Sequence, residues 1–379
     1  MSRKDRDLMP ICHKTRPHSD QRALRSGARW SSLVFPRPLA QVHTTLPTGA
    51  KISVDNAIVM QNGATAELCI TTERNYRISG HESFPCRYTW LPKAVRGLNA
   101  DPALFSNDEQ AMVTLGVGKN MVRSIRFWVH AAGVASSEKK GSSYSLTDFG
   151  RLLLSDRGLD PFLEDSSTLW LLHWNLSTDM DNPLLAWDYL LNRWHEPELA
   201  RSTALKVLQK EASRLDDGIS MVTLEQHFDT FLHTYVPTRG RKGQVQEDNL
   251  DCPLVELDFI LKVGERGAGK RETIYCFRRE EKPEISLELF SYCLDDFWQT
   301  RHKSESTLPL REVAHGHGSP GQIFKLPEED VRTRLDLLSR QAGGLFAYSE
   351  SAQFQQVRRR AEANKTTMLR AIYRVGKDA

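Results

Sequence analysis

The sequence predicts a mainly α-helical chain with small β-hairpins, an α+β protein, on three observations. Apolar residues recur at three- and four-residue spacing through most of the chain after Tyr76. Segments of strand character are short and bounded by Gly or Pro. Twice, near 107–146 and again near 310–360, a helix, a turn, a second helix and a hairpin follow one another. The expected organisation is a mostly disordered basic extension over 1–75, a helix-turn-helix module over 76–155, a helical core region over 156–236 and a C-terminal α+β module over 237–379.

With 40% hydrophobic and 26% charged residues, the 379-residue chain has the composition of a soluble protein able to bury a core. The formal net charge is only +3, so any attraction to a polyanion has to come from local patches. No apolar run approaches the roughly 20 residues of a membrane-spanning helix, and a cytoplasmic protein without a membrane partner is expected. The six cysteines form no CxxC pair and have no histidine at ligand spacing, which argues against a zinc site or a disulfide framework.

The first 50 residues carry nine Lys or Arg against three Asp, with no helical or strand period. A basic tail that brushes DNA and a start assigned too far upstream are both open readings; a signal peptide is not expected, because no apolar core follows the basic residues. From Tyr76, Gly80 and Pro85 punctuate a loop, and a helix is expected over about 87–98 with Tyr88, Leu91 and Val95 inward. His81 and Glu82 form either a catalytic or ligand pair or a loop capping the start of that helix, the second reading being preferred.

The segment 107–115 is a short helix, and Gly116 and Gly118 supply a tight turn after it. At about 100° per residue, 119–132 then divides into an apolar face of Met121, Ile125, Trp128 and Ala132 and a basic face of Lys119, Arg123, Arg126 and His130. Gly133 stops the helix, and SSEKKGSSYSL is a polar hairpin bearing Lys139 and Lys140. Helix, glycine turn, basic helix and basic hairpin follow the order of a winged helix-turn-helix, in which the second helix enters the DNA major groove. The expected DNA contacts are Lys119, Asn120, Arg123 and Arg126 from the helix and Lys139 and Lys140 from the wing, with Asn suited to an adenine edge and Arg to guanine.

Next comes a carboxylate-rich block. Asp160 before Pro161 suits a helix start, and Asp165 or Ser166 caps a helix over 168–176 that is apolar nearly all round and therefore buried. His173 within it is expected to be a hydrogen-bonded core histidine rather than a ligand. Asp160, Glu164 and Asp165 are the candidate catalytic carboxylates, with Asp160 and Glu164 as ligands of Mg2+, because phosphodiester cleavage needs an activated water and charge stabilisation at phosphate. Capping and the helix dipole favour acids at the same positions.

Helices are expected over 183–194, 198–215 and about 220–236, the last capped by Thr223. Arg239, Arg241 and Lys242 lie in a Gly-rich loop, either a phosphate contact or a solvated connector. The stretch GERGAGKRE matches G-x-x-x-x-G-K, but Arg271 stands where a magnesium-binding Ser or Thr belongs, and the flanks have strand character. It is a hairpin turn, and no nucleotide is expected. Helices over about 285–302, at TLPLREVAHG and from Pro327 to before Gly343, with SPGQIFKL a turn and extended piece and a hairpin around Glu350, form a second winged-helix-like order. The acidic start of its second helix, Glu328, Glu329 and Asp330, points to protein contact or structural reuse. The tail residues Arg358, Arg359, Arg360, Lys365, Arg370 and Arg374 are basic enough to touch a DNA backbone.

Five blocks, SGHESFPCRYTWLPKAV, LGVGKNMVRSIRFWVHAAGV, DPFLEDSSTLWLLHWNL, EDNLDCPLVELDFI and GSPGQIFKL, together resemble a bacterial family first catalogued as a domain of unknown function, to which the nickase B component of Ssp-type DNA phosphorothioation systems is similar. The similarity covers about Tyr76 to Gln356. It implies a DNA-binding subunit of a bacterial phosphorothioate modification and antiphage defence system, nicking or engaging double-stranded DNA beside ATPase and sulfur-transfer (phosphoadenosine-phosphosulfate-reductase-like) subunits. It transfers no catalytic residue. The alternative is a non-catalytic winged-helix adaptor or transcriptional regulator.

Overall fold

The computed structural model describes residues 75–137, 143–215, 218–238, 252–267, 271–341, 343–351 and 353–374. The extension over 1–74, the wing lysines Lys139 and Lys140, and the loop with Arg239, Arg241 and Lys242 lie outside them. All described residues fall in one compact unit, Thr71–Ala379.

The first five elements follow the expected order: α1 (Trp90–Ala100), α2 (Asp108–Leu115), α3 (Lys119–Ala131) and the antiparallel strands β1 (Ala135–Ser137) and β2 (Tyr144–Leu146). Asn107 caps α2 by accepting from the Glu109 and Gln110 amides, and Gly116 ends it in the left-handed region at φ 65°. Only that glycine uses its conformational freedom in the turn; Gly118 has an ordinary extended backbone at φ −73°. The apolar side of α3 is broader than the four-residue stripe expected, since Val122, Ser124, Phe127 and Val129 are buried along with Ile125 and Trp128. After α4 (Asp148–Leu154), the expected buried helix appears as α5 (Ser166–Thr178), capped by Asp165.

Then follow α6 (Leu185–Asn192), β3 (Leu199–Ala200), α7 (Arg201–Leu215) and α8 (Met221–Tyr235). Two boundaries differ from expectation. Leu199 and Ala200, expected in a helix, pair as a strand with Tyr275 and Ile274, and Ser220 rather than Thr223 caps α8. A 3-10 turn over Pro253–Leu257 leads into β4 (Ile260–Arg266) and β5 (Glu272–Phe277), an antiparallel hairpin that completes a sheet of order β3-β5-β4. The GERGAGKRE segment thus joins two strands and opens no helix.

The last third contains α9 (Leu287–Arg301), β6 (Thr307–Pro309), α10 (Leu310–His315), α11 (Pro320–Ile323), α12 (Glu328–Arg340), β7 (Phe346–Glu350), β8 (Gln355–Arg359) and α13 (Lys365–Ile372). The stretch SPGQIFKL, expected to be a turn and an extended piece, forms the single helical turn α11, capped by Ser319. The second sheet has order β6-β8-β7, so the strand before the helix pair adds to the hairpin that follows it.

One contiguous apolar cluster runs from Ile78 to Tyr373 through all these segments, and tryptophans are the largest of its buried side chains. Trp90, Trp128, Trp170, Trp174, Trp187 and Trp298 are all buried to the last few per cent. His173 lies at its centre: Nε2 donates to the Ile323 carbonyl at 3.1 Å and Nδ1 accepts from the Tyr235 hydroxyl at 2.8 Å, while burial pushes its pKa down to about 3. It is a core histidine, as expected. Among the described residues no helix is long and apolar enough to cross a membrane.

Candidate nucleic-acid interface

The outward side of α3 is built from its first two turns. Lys119 and Asn120 are exposed; Arg123 and Arg126 are half-buried at their stems with their heads toward solvent. Lys119 Nζ lies 3.7 Å and Arg123 Nε 3.6 Å from one oxygen of Asp108, on the first turn of α2. Asp108 thus occupies the place between two cations that a phosphate would compete for. Arg126 has no ion pair among the described residues. His130, expected on the same basic face, is engaged internally instead. Arg77 donates to its Nδ1 at 2.9 Å, and burial beside that guanidinium lowers its pKa, so it is a neutral acceptor.

The side of α3 away from solvent is bolted to the loop that precedes α1. The Ser124 hydroxyl donates to the His81 carbonyl at 3.0 Å and the Trp128 indole to the Phe84 carbonyl at 3.0 Å. His81 itself is buried against Phe127 and stacked on His227, with their facing nitrogens 3.2 Å apart. Desolvation pushes its pKa down to about 4. Glu82 and Ser83 accept left-handed backbone at φ 51° and 61° to make this turn. The loop that carries His81 and Glu82 therefore braces α3; the expected capping of the following helix is not seen, since Thr89, at the start of α1, makes no side-chain cap bond.

Two basic residues that the charge pattern of α3 does not include extend the surface. Lys93 and Arg96, on the polar side of α1, line a groove of about 550 Å³ with Thr114 and Gly116 beside the turn that enters α3. Lys93 also donates to the Leu115 carbonyl at 3.4 Å, satisfying the end of α2. Their i, i+3 spacing on the expected helix was the available signal in the sequence.

The carboxylate block is organised differently. Asp160 is buried, and its two oxygens accept from the Glu164 amide at 2.9 Å and the Asp165 amide at 3.1 Å. Asp165 accepts from the Ser167 amide at 2.8 Å as the cap of α5, and Glu164 is exposed. No helix starts at Asp160; it brackets a turn. Among the described residues no group of three or more His, Cys, Asp or Glu is placed to hold a metal ion. Of the three carboxylates, Asp160 and Asp165 accept from backbone amides and Glu164 is exposed.

The C-terminal basic residues are also partly spent. Arg359 pairs with Asp295 at 2.7 Å and Lys365 with Asp296, both on α9, and α13 buries Met368, Leu369 and Ile372. The tail is a docked helix, not a free basic arm, while Arg358, Arg360, Arg370 and Arg374 are exposed.

Comparison with known proteins begins with the family described as "Protein of unknown function (DUF4007)", which matches residues 78–373. The chain belongs to that family. No curated protein matches it. A magnesium ion-bound SspB crystal structure shares its fold at a TM-score of 0.68 and 24% identity, covering 80% of this chain and 89% of that one. Another SspB crystal structure gives 0.67 and 23%, over 81% and 90%. The family match takes in α1–α3, their brace and all of α13, so the basic face lies within the matched region.

Proposed function

We propose that this chain is the DNA-engaging subunit of a bacterial phosphorothioate modification and defence system, docking on double-stranded DNA through α3. One observation carries the reading: a cationic side of a rigidly braced helix, Lys119, Asn120, Arg123 and Arg126, follows a left-handed glycine turn and precedes a hairpin, the order in which a winged helix presents its recognition helix. Arg and Asn suit bidentate contact with guanine and adenine edges, and Lys119 with Lys139 and Lys140 suit phosphate. The shared fold with SspB and the resemblance of the five sequence blocks support the biological setting, with ATPase and sulfur-transfer subunits as its partners.

Two versions differ in whether this chain also cuts. In the nicking version Mg2+ is recruited by Asp160 and Glu164 with Asp165 beside them, a reading that draws support from the magnesium-bound state of one SspB structure. In the adaptor version Asp160 and Asp165 only hold the turn and the cap before α5, and their engagement by backbone amides favours that version.

DNA affinity measured by fluorescence anisotropy tests the common claim. Arg123→Ala with Arg126→Ala is expected to weaken binding by roughly 10- to 100-fold and flatten its salt dependence; unchanged affinity removes the groove-docking reading. Supercoiled plasmid incubated with Mg2+ separates the versions. Glu164→Gln, which touches no capping bond, abolishes open-circle formation in the nicking version; a wild-type protein that leaves plasmid intact establishes the adaptor.

A further inference from the structure

We propose that the pocket where α3, α5, α9 and α13 meet binds a linear polyamine, a chain of ammonium groups joined by short alkyl linkers. The pocket, of about 700 Å³, is lined by four carboxylates, Asp148, Asp179, Asp181 and Asp296, and by one lysine, Lys365. Two of these acids are answered within the chain: Lys365 pairs with Asp296, and Arg151 lies 3.4 Å from Asp148. Asp179 accepts from the amides of Asp181 and Asn182, with the charge of Arg77 acting on it from farther off. The Asp181 carboxylate has no hydrogen-bond or ion-pair partner among the described residues, and it is exposed. With Arg77 and Arg151 counted beside Lys365, three cations face four carboxylates; His130 adds no charge, because burial beside Arg77 keeps it neutral.

A hydroxyl points to a ligand independently of this charge. Tyr292 lines the pocket and is only 7% exposed, yet its hydroxyl has no hydrogen-bond partner among the described residues. Buried polar groups are paired as a rule, and an ammonium N–H in the pocket would donate to this oxygen. Helix dipoles act in the same direction. The thirteen-residue helices α3 and α5 both end at the pocket, at Ala131 and Thr178, whereas the shorter α4 and α13 begin there and are capped by Thr147 and Asn364. The acids are spread along the pocket: among the described residues no three are placed to hold one metal ion. Separated carboxylates match separated ammonium groups better than a single compact cation. Phe149, Leu369 and Met180, the last 43% exposed, also line the pocket and give the alkyl linkers apolar surface to cover.

Isothermal titration of the full-length chain with spermidine, in excess Mg2+ and without DNA, tests this. Saturable one-to-one binding is expected, with n-butylamine, which carries a single ammonium group, at least about tenfold weaker. Asp181→Asn and Tyr292→Phe each weaken spermidine binding by about tenfold. Neither substitution removes a bond of the fold, so thermal midpoints without spermidine stay at the wild-type value, which separates a lost ligand contact from a damaged fold. Glu196→Gln, at an exposed acid outside the pocket, binds as wild type does. The proposal is overturned if spermidine binding does not saturate, if excess Mg2+ abolishes it, if n-butylamine binds as tightly, or if either pocket variant retains wild-type affinity. Because no DNA is present, failure here leaves the α3 proposal standing, and failure there leaves this one.

Discussion

Twice a helix runs directly into a β-hairpin, α3 into β1–β2 and α12 into β7–β8, and the two helices are secured and decorated in opposite ways. In the first, α3 is held by an indole and a hydroxyl donating to carbonyls of the loop before α1, and its outward side is cationic. In the second, α12 is held by an ion: Arg334 is buried, pairs with Asp330 at 2.9 Å and donates to the Lys282 carbonyl at 2.8 Å, and the outward side is acidic. The indole and hydroxyl bonds that brace α3 use none of its cations, and only Asp108 stands between Lys119 and Arg123, whereas the clamp of α12 spends Arg334 internally. Element order alone therefore does not assign a ligand; the charge left over after internal pairing does.

The largest expected effect breaks the ionic clamp. Arg334→Ala leaves Asp330 buried without its partner and costs about 3–5 kcal/mol, read as a fall in the denaturant midpoint. Hydrogen exchange should localise the loss to α12 and the β6-β8-β7 sheet. A loss spread evenly over α3 as well would mean that the two modules are not secured independently.

Acid should act first on the other brace. His81, held to about 4 by burial, and His227, also lowered, are neutral in the fold, whereas an exposed imidazole titrates near 6.5. The unfolded chain binds more protons, so their contribution is fully present above about pH 6.5 and falls as pH drops toward 4, by up to about 1.4 kcal/mol per pH unit for each ring. No histidine of the α9–β8 segment is buried among the described residues. Thermal melts from pH 8 to 4.5, with hydrogen exchange, should show α3 and residues 78–86 loosening before α12; simultaneous loosening contradicts the contrast between the two modules.

Asp160→Ala removes two acceptors from a buried turn and should cost about 1–3 kcal/mol, while Glu164→Ala should change stability by a few tenths at most, both by chemical denaturation. Equal, large losses would show that Glu164 has a structural partner. A modest effect on binding rather than stability concerns the carboxylate between the cations of α3. Asp108→Asn is expected to tighten DNA binding by about threefold to tenfold, about 1 kcal/mol, by releasing Lys119 and Arg123 from their pairing. Weaker binding would mean that Asp108 positions those side chains rather than competing with phosphate.

Local physics determined much of this protein from sequence alone. Capping residues and helical spacing placed α2, α3, α5 and α12 because their signals are contiguous in the chain: Asn107 and Asp165 at starts, Gly116 at a stop, apolar residues at regular intervals. Reading Gly264–Glu272 as a hairpin worked for the same reason. Tertiary structure alone decided the fate of individual polar side chains. His130 became an acceptor for Arg77, fifty-three residues away in sequence, and Leu199 became a strand because β5 runs alongside it. Lys365 and Arg359 lost their freedom to carboxylates of α9, and Asp160 became a bracket for two amides. A charge pattern shows which side chains are present, but whether a charge is left for a ligand depends on partners brought near by folding, and those partners are distant in the sequence.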